Sequence, residues 1–199
     1  TIINHSDVRR MLMLMRSSCE AMRGLIYSTN AHADIAHSSP DANARLSGDK
    51  RIDLMTPIVK GWCTEMANEI TSLGLQVHGG MGFIEETGVA QYYRDARILA
   101  IYEGTNGIQS MDLIGRKLLR DKGEGFMLLI AEMKETLLEL ESQSDTLSPI
   151  SSRFNNAIND LEQAVSWALT NPDGEAPNSA AFNLLMLSGY VCGGWQMVR

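Results

Sequence analysis

SDVRRMLMLMRSSCEAMRGLI, residues 6–26, is the stretch that decides the fold class. Its apolar side chains at Val8, Met11, Leu12, Met15, Cys19, Met22 and Ile26 recur at spacings of three and four, which is the period of one helical face. Ser6 and Asp7 stand in front of them with side-chain oxygens suited to capping a helix N-terminus. The methionines in this stretch read as unbranched, adaptable core filler rather than as ligands.

The same period recurs on both sides of a few polar breaks. Thr56-Pro57 predicts a helix start, because proline suits the first helical position and threonine can cap it. Val59, Cys63, Met66, Ile70 and Leu73 continue that helix to a stop near Gly79-Gly80. A short helix is expected over Val89 to Arg97, then one carrying Ile108, Met111, Ile114 and Leu118 on one side. Beyond the joint Asp121 to Gly125, three further faces begin at Phe126, Phe154 and Ala181. The polar stretch Asp34 to Arg51, with Pro40 inside it, reads as a long loop, and Asn171-Pro172-Asp173-Gly174 as a turn. Strand-like alternation is nowhere sustained, so the expected fold is all-α, an antiparallel helical bundle.

Composition narrows the function. The 199 residues carry 24 acidic and 17 basic side chains, a net charge of -7 without any run of Lys or Arg, which argues against a nucleic-acid surface. Charge interrupts every apolar stretch before the ~20 residues a membrane span needs, and no signal-peptide pattern opens the chain. Cys19, Cys63 and Cys192 lie far apart in apolar helical patterns, so they are expected as buried free thiols in a reducing compartment, with the cytoplasm the expected location. No cluster of metal-ligand type is present, so no metal is expected. Amphipathic pattern begins almost at Thr1 and is still apolar at Trp195, Met197 and Val198; a piece of a longer polypeptide is expected.

The chemistry is concentrated in residues 76–109, QVHGGMGFIEETGVAQYYRDARILAIYEGTNGIQ. The glycines after Gln76-Val77-His78 either stop a helix or let backbone approach a ligand closely. No strand precedes them, so they are not the phosphate loop of nucleotide-binding α/β proteins. Glu103, in Tyr102-Glu103-Gly104-Thr105, follows the apolar run Ile98 to Ile101 and has no partner at helical spacing. In a greasy pocket its carboxyl pKa would be raised, as suits a base that must hold a proton between steps. Thr105 can cap the next helix. Arg94 and Asp95 cannot face one another on a helix and read as structural, as does the lone His78.

Taken as a linked set, Gln-x-x-Gly-Gly-x-Gly-Phe, Arg-Asp-Ala and Ile-Tyr-Glu-Gly-Thr-x-x-Ile-Gln resemble the C-terminal helical domain of FAD-dependent acyl-CoA dehydrogenases. The likeness covers roughly Asn4 to Asp121, and His5 to Met11 resemble that domain's early helix. It implies a first domain over residues 1–121. Residues 122–199 would then be the extra helical segment of a longer branch, which includes enzymes acting on 3-methylthiopropionyl-CoA. The resemblance implies α,β-dehydrogenation of an acyl-CoA thioester to the trans-2-enoyl-CoA. Glu103 would take the α-proton while hydride passes to flavin N5, and the backbone N–H of Glu103, with Gly104 beside it, would hold the substrate. Gln76, Val77, His78, Gly79 and Gly80 match a segment lying against the FAD of a neighbouring subunit. Thr105, Asn106 and Gly107 match one near the flavin's own phosphates and adenosine, although some members carry Gln where this chain has Gly107. An electron-transferring flavoprotein as electron acceptor and a homodimer or homotetramer are implied as partners. The competing expectation is a non-catalytic module on the same scaffold, binding protein or, in an alkylation-response role, DNA.

Overall fold

Two long antiparallel helices form the frame on which everything else is hung. In the computed structural model, which describes residues 1–143, 147–172 and 175–199, α1 spans Ser6–Ser38 and α2 spans Ala42–His78. The expected long loop over Asp34 to Arg51 is therefore almost entirely helical. Its polar residues serve a tight reversal: Asp41 caps α2 by accepting the Asn43 N–H at 2.9 Å, and Arg45 Nη1 donates to the Ser39 carbonyl at 2.7 Å. Gly48 is not a breaker either, since a Cβ there would come within 2.7 Å of the His32 carbonyl oxygen on α1. It is a point of close helix approach.

The helix start expected at Thr56-Pro57 is likewise absent, because Pro57 lies buried inside α2. Proline removes one backbone rung there. The apolar face running through Leu54, Met55, Ile58, Trp62 and Met66 is packed into the core on both sides of it, and that burial carries the helix through. On α1 the fully buried positions are Met11, Ser18, Ala21, Leu25 and Thr29, one step round from the predicted face. Small side chains occupy the centre where neighbouring helices come close, and the larger Leu12, Met15, Met22 and Ile26 are pushed to the flanks. Met13, at 73% exposure, fills no core.

Short elements follow: α3 (Gly80–Phe83), α4 (Val89–Leu99) and α5 (Asn106–Asp112). From α5 the chain runs straight into a π-helical segment, Leu113–Leu119. The wider turn changes which side chains point inward. Leu113, Ile114 and Leu118 are buried, whereas Ile108 and Met111 of the predicted face are exposed.

The remaining helices are α6 (Glu124–Gln143), α7 (Ser148–Thr170) and α8 (Glu175–Val198). Their predicted faces hold, with Phe126, Leu129, Ile130, Met133, Phe154, Ile158, Leu161 and Val165 all buried. The turn predicted over Asn171 to Gly174 is described only through Pro172; Asn171 Nδ2 donates to the Trp167 carbonyl at 2.9 Å, closing α7. One apolar cluster extends from Ala21 to Trp195, so α8 and α2 share a core across the joint at residues 121–125.

Trp62 on α2 is the centre of that shared core, 2% exposed and set edge-on to Tyr190 at 5.8 Å. Gly189 and Gly193 on α8 clear its seat, since a Cβ at Gly193 would come within 2.5 Å of the indole and one at Gly189 would overlap it. Polar ties fasten α8 and α2 to α6: Trp195 Nε1 donates to Thr136 Oγ1 at 2.8 Å, and Arg51 pairs with Glu132 through both terminal guanidinium nitrogens. All three cysteines are free; Cys192 is buried and Cys19 and Cys63 only half-buried. Burial pushes the Cys63 and Cys192 thiols up to about 12. Among the described residues no helix is long and apolar enough to cross a membrane.

Candidate functional site

The residues after α4 build the turn that carries Glu103. The N–H groups of Ile101 and Tyr102 both donate to the Ile98 carbonyl, at 2.9 and 3.1 Å, and wind the chain tightly off the helix. Glu103 and Gly104 then take φ of +53° and +85°, two successive left-handed residues that reverse direction. Glycine adopts this freely, but a glutamate there bears strain of about 1–2 kcal/mol. Thr105 caps α5 as expected, its hydroxyl accepting the Ile108 N–H at 3.3 Å, and the Asn106 N–H closes the loop on the Ala100 carbonyl at 3.1 Å.

A polar anchor on α2 holds this turn from behind. Lys60 Nζ donates to the Gly104 carbonyl at 2.7 Å and to Asn106 Oδ1 at 2.9 Å. Asn106 is 4% exposed, and its Nδ2 donates to Glu65 Oε1 at 2.7 Å, Thr64 Oγ1 at 2.9 Å and the Gly61 carbonyl at 3.3 Å. Both ends of the amide are thus satisfied within the fold, as a buried amide requires. Partial burial lowers the Lys60 pKa, opposed by the nearby Glu103 and Glu65 carboxylates.

The carboxylate itself faces outward. Ile101, Tyr102, Glu103, Ile108 and Met111 are all exposed, so apolar side chains sit beside Glu103 but none of the described residues covers it. The greasy enclosure expected from the sequence is not supplied by the described residues, which tether the loop from its α2 side. Thr105 and Gly107 are also exposed. Asn106 points inward onto α2, and a Cβ at Gly107 would make only an ordinary contact, 3.6 Å from Thr105 Oγ1.

The second candidate segment lies at the far end of α2. Gln76 and His78 to Gly80 are exposed and Val77 half-buried. His78 Nδ1 donates to the Gly74 carbonyl at 2.8 Å. Gly79, at φ +59°, is required by the turn, its N–H donating to the Gln76 carbonyl at 3.1 Å. Gly80 has no such internal reason: a Cβ there would meet nothing within 4 Å, so its bare backbone is open to an outside group. Lys60 and Gln76 are ~24 Å apart at the helical rise, so the fold does not bring the two segments together. Arg94 forks onto Glu85 at 3.0 and 2.8 Å across an exposed turn.

Lys60, Thr64 and Glu65 are the residues that sequence reasoning passed over. Their one signal was a lysine set within the apolar run Ile58-Val59 and Gly61-Trp62, where a charged end needs a partner.

Comparison with known proteins gives this geometry its context. Residues 1–119 match the model of the acyl-CoA dehydrogenase C-terminal domain, and residues 129–199 that of the acetyl-CoA dehydrogenase C-terminal-like family. A 3-methylmercaptopropionyl-CoA dehydrogenase of Ruegeria pomeroyi is 44% identical over 98% of this chain and 34% of its own length. A butyryl-CoA dehydrogenase of Syntrophomonas wolfei is 34% identical over 85% of this chain and 28% of its own. The chain thus spans about a third or less of the curated relatives it matches. Among solved structures, Caenorhabditis elegans ACDH-11 shares the fold with a TM-score of 0.79 at 18% identity, over 95% of this chain and 31% of that one. An all-helical bundle with these motifs, matched by the family model over 119 residues and by a relative over nearly its whole length, belongs to the acyl-CoA dehydrogenase family.

Proposed function

We propose that the complete protein containing this chain is an FAD-dependent acyl-CoA dehydrogenase, converting an acyl-CoA thioester to the trans-2-enoyl-CoA with Glu103 as the base. The observation that carries this reading is an outward-facing carboxylate on a left-handed turn, locked from behind by Lys60 and Asn106. Such a turn places one acceptor oxygen in a fixed direction, which is what general-base catalysis needs. Glu103 removes the proton from the carbon α to the thioester carbonyl, and the C–H electron pair moves into the forming Cα–Cβ double bond. Its backbone N–H and the adjoining Gly104 segment border the place where the carbonyl oxygen must be held as negative charge develops on it. FAD, when bound, supplies the acceptor for the hydride lost from the β-carbon.

The residues present suit that cofactor. Gly80 and Gly107 carry no side chain although no internal contact forbids one, and a planar or phosphate-bearing group can approach such backbone closely. Thr105 and Gly107 would face one flavin, with Asn106 fixing the segment through its bonds to α2. Gln76 to Gly80, too distant to reach the same place, would face the flavin of a second subunit in a homodimer or homotetramer. Electrons would leave to an electron-transferring flavoprotein in the cytoplasm. The enclosure of Glu103 would come from regions corresponding to the rest of the longer relatives.

The test uses the full-length protein. It should purify yellow, and a panel of acyl-CoA esters should bleach the flavin in stopped flow. Glu103→Gln should retain FAD and substrate binding but lose flavin reduction by ~10²-fold or more. Near-wild-type bleaching by the variant would move the base elsewhere.

A further inference from the structure

We propose that Lys60 is the positioning residue for Glu103, fixing the turn that aims the carboxylate through its bonds to the Gly104 carbonyl and Asn106 Oδ1. The proposal rests on the reading of Glu103 as the base and goes beyond it, since Lys60 is none of the residues implied to meet substrate or flavin and acts on Glu103 through Gly104 and Asn106.

Three observations converge on it. Glu103 occupies a left-handed conformation that an L-side chain resists, so something outside the loop must hold it. The Gly104 carbonyl, one residue on, is held at 2.7 Å by the Lys60 ammonium. The same ammonium bonds Asn106 Oδ1 at 2.9 Å, so the loop is gripped on both sides of Thr105. The chemistry of the grip is also unusual. A lysine within an apolar run loses hydration and side-chain freedom, and none of the ion pairs of the described residues includes it. A neutral donor such as Gln would hold a carbonyl at less cost. Charge is what Lys60 adds, and the carboxylates that bear on it are Glu103 from the loop and Glu65 from its own helix. Charge-assisted hydrogen bonds are the stronger ones, so the ammonium holds the turn more firmly than a neutral donor would.

The experiment compares Lys60→Met, Lys60→Gln and Lys60→Arg in the full-length flavoprotein, with butyryl-CoA and 3-methylmercaptopropionyl-CoA as probes. Lys60→Met should keep stoichiometric FAD and probe affinity but reduce flavin ~10-fold more slowly. Lys60→Gln should recover part of the rate, because it restores a donor without charge. Lys60→Arg should recover more of it, because it restores a charged donor. An unchanged rate in Lys60→Met would overturn the proposal. So would loss of FAD in both Lys60→Met and Lys60→Gln, which would make the residue a general support of the fold. Glu103→Gln, run alongside, separates the two readings: if it still reduces flavin the base is misassigned, and if it is inert while the Lys60 variants are normal, only the role of Lys60 fails.

Discussion

Lys60 and Trp62 are two residues apart on α2 and lie on opposite faces of the helix, one bonded to the Glu103 loop and the other sunk between Gly189 and Gly193 of α8. The Trp62 side is closed by shape: a large ring, two missing Cβ atoms and a surround of buried aliphatics. The Lys60 side is closed by polarity, a handful of directed hydrogen bonds on a loop whose outer surface stays open. Packing of the first kind tolerates no gap and transmits strain, which makes α2 a stiff backing. Bonds of the second kind fix direction with little bulk, so they can hold a carboxylate without covering it. The helix is thus a divider between the part that supplies stability and the part that presents chemistry.

The largest contrast to test is solvent access. With their thiols pushed up to about 12, Cys63 and Cys192 should react with a maleimide at pH 8 about 10³-fold more slowly than an open thiol. Half-buried Cys19 should label first, and fast labelling of Cys192 would mean that the α8 side opens readily. Because these acid groups ionise later in the folded chain than in the unfolded one, they stabilise nothing below the ordinary thiol pKa of 9.0. Stability should then fall as pH rises beyond it.

Next in size is the indole. Trp62→Ala leaves a cavity in the seam shared by α2 and α8 and should cost about 3–5 kcal/mol in urea unfolding followed by helical circular dichroism. A loss below about 1 kcal/mol would show that the seam can collapse around the gap, and the shape argument would fail.

On the polar side the expected cost is smaller. Asn106→Ala strands the Lys60 ammonium and the Glu65 carboxylate with fewer partners and should cost about 1–3 kcal/mol. Hydrogen exchange should quicken at Asn106 and Ile108 while α8 keeps its protection. Equal quickening at both ends would show that the two sides of α2 are one cooperative unit.

The smallest effect has the opposite sign. Glu103→Gly relieves the left-handed strain but adds unfolded-chain entropy, leaving a net gain of about 0.5–1 kcal/mol. If the variant is instead destabilised, the carboxylate contributes to the fold and is not merely presented by it.

The bundle class was legible because periodicity is a local property: the faces at Phe126, Phe154 and Ala181 appear as buried stripes where the pattern placed them. Glu103 and Thr105 also stood out, through a carboxylate without a helical partner and a hydroxyl at a helix start. The errors fell where polar or small residues meet another helix. Gly48 and Pro57 look like breaks in one dimension, yet burial against α1 and the core carries α2 through both. Ser18 and Ala21 look unfit for a core until a neighbour comes close enough to need them small.

By itself, then, the sequence determined the helical class, the capped start of α5 and the residues from which a base could be drawn, because spacing and side-chain chemistry are written in order along the chain. Tertiary structure alone decided that Asn106 turns inward, that Lys60 grips the Glu103 turn from 44 residues upstream of the carbonyl it holds, and that Trp62 sits in the notch of α8. Those are contacts between segments far apart in the chain. Their partners become neighbours only after the helices have packed.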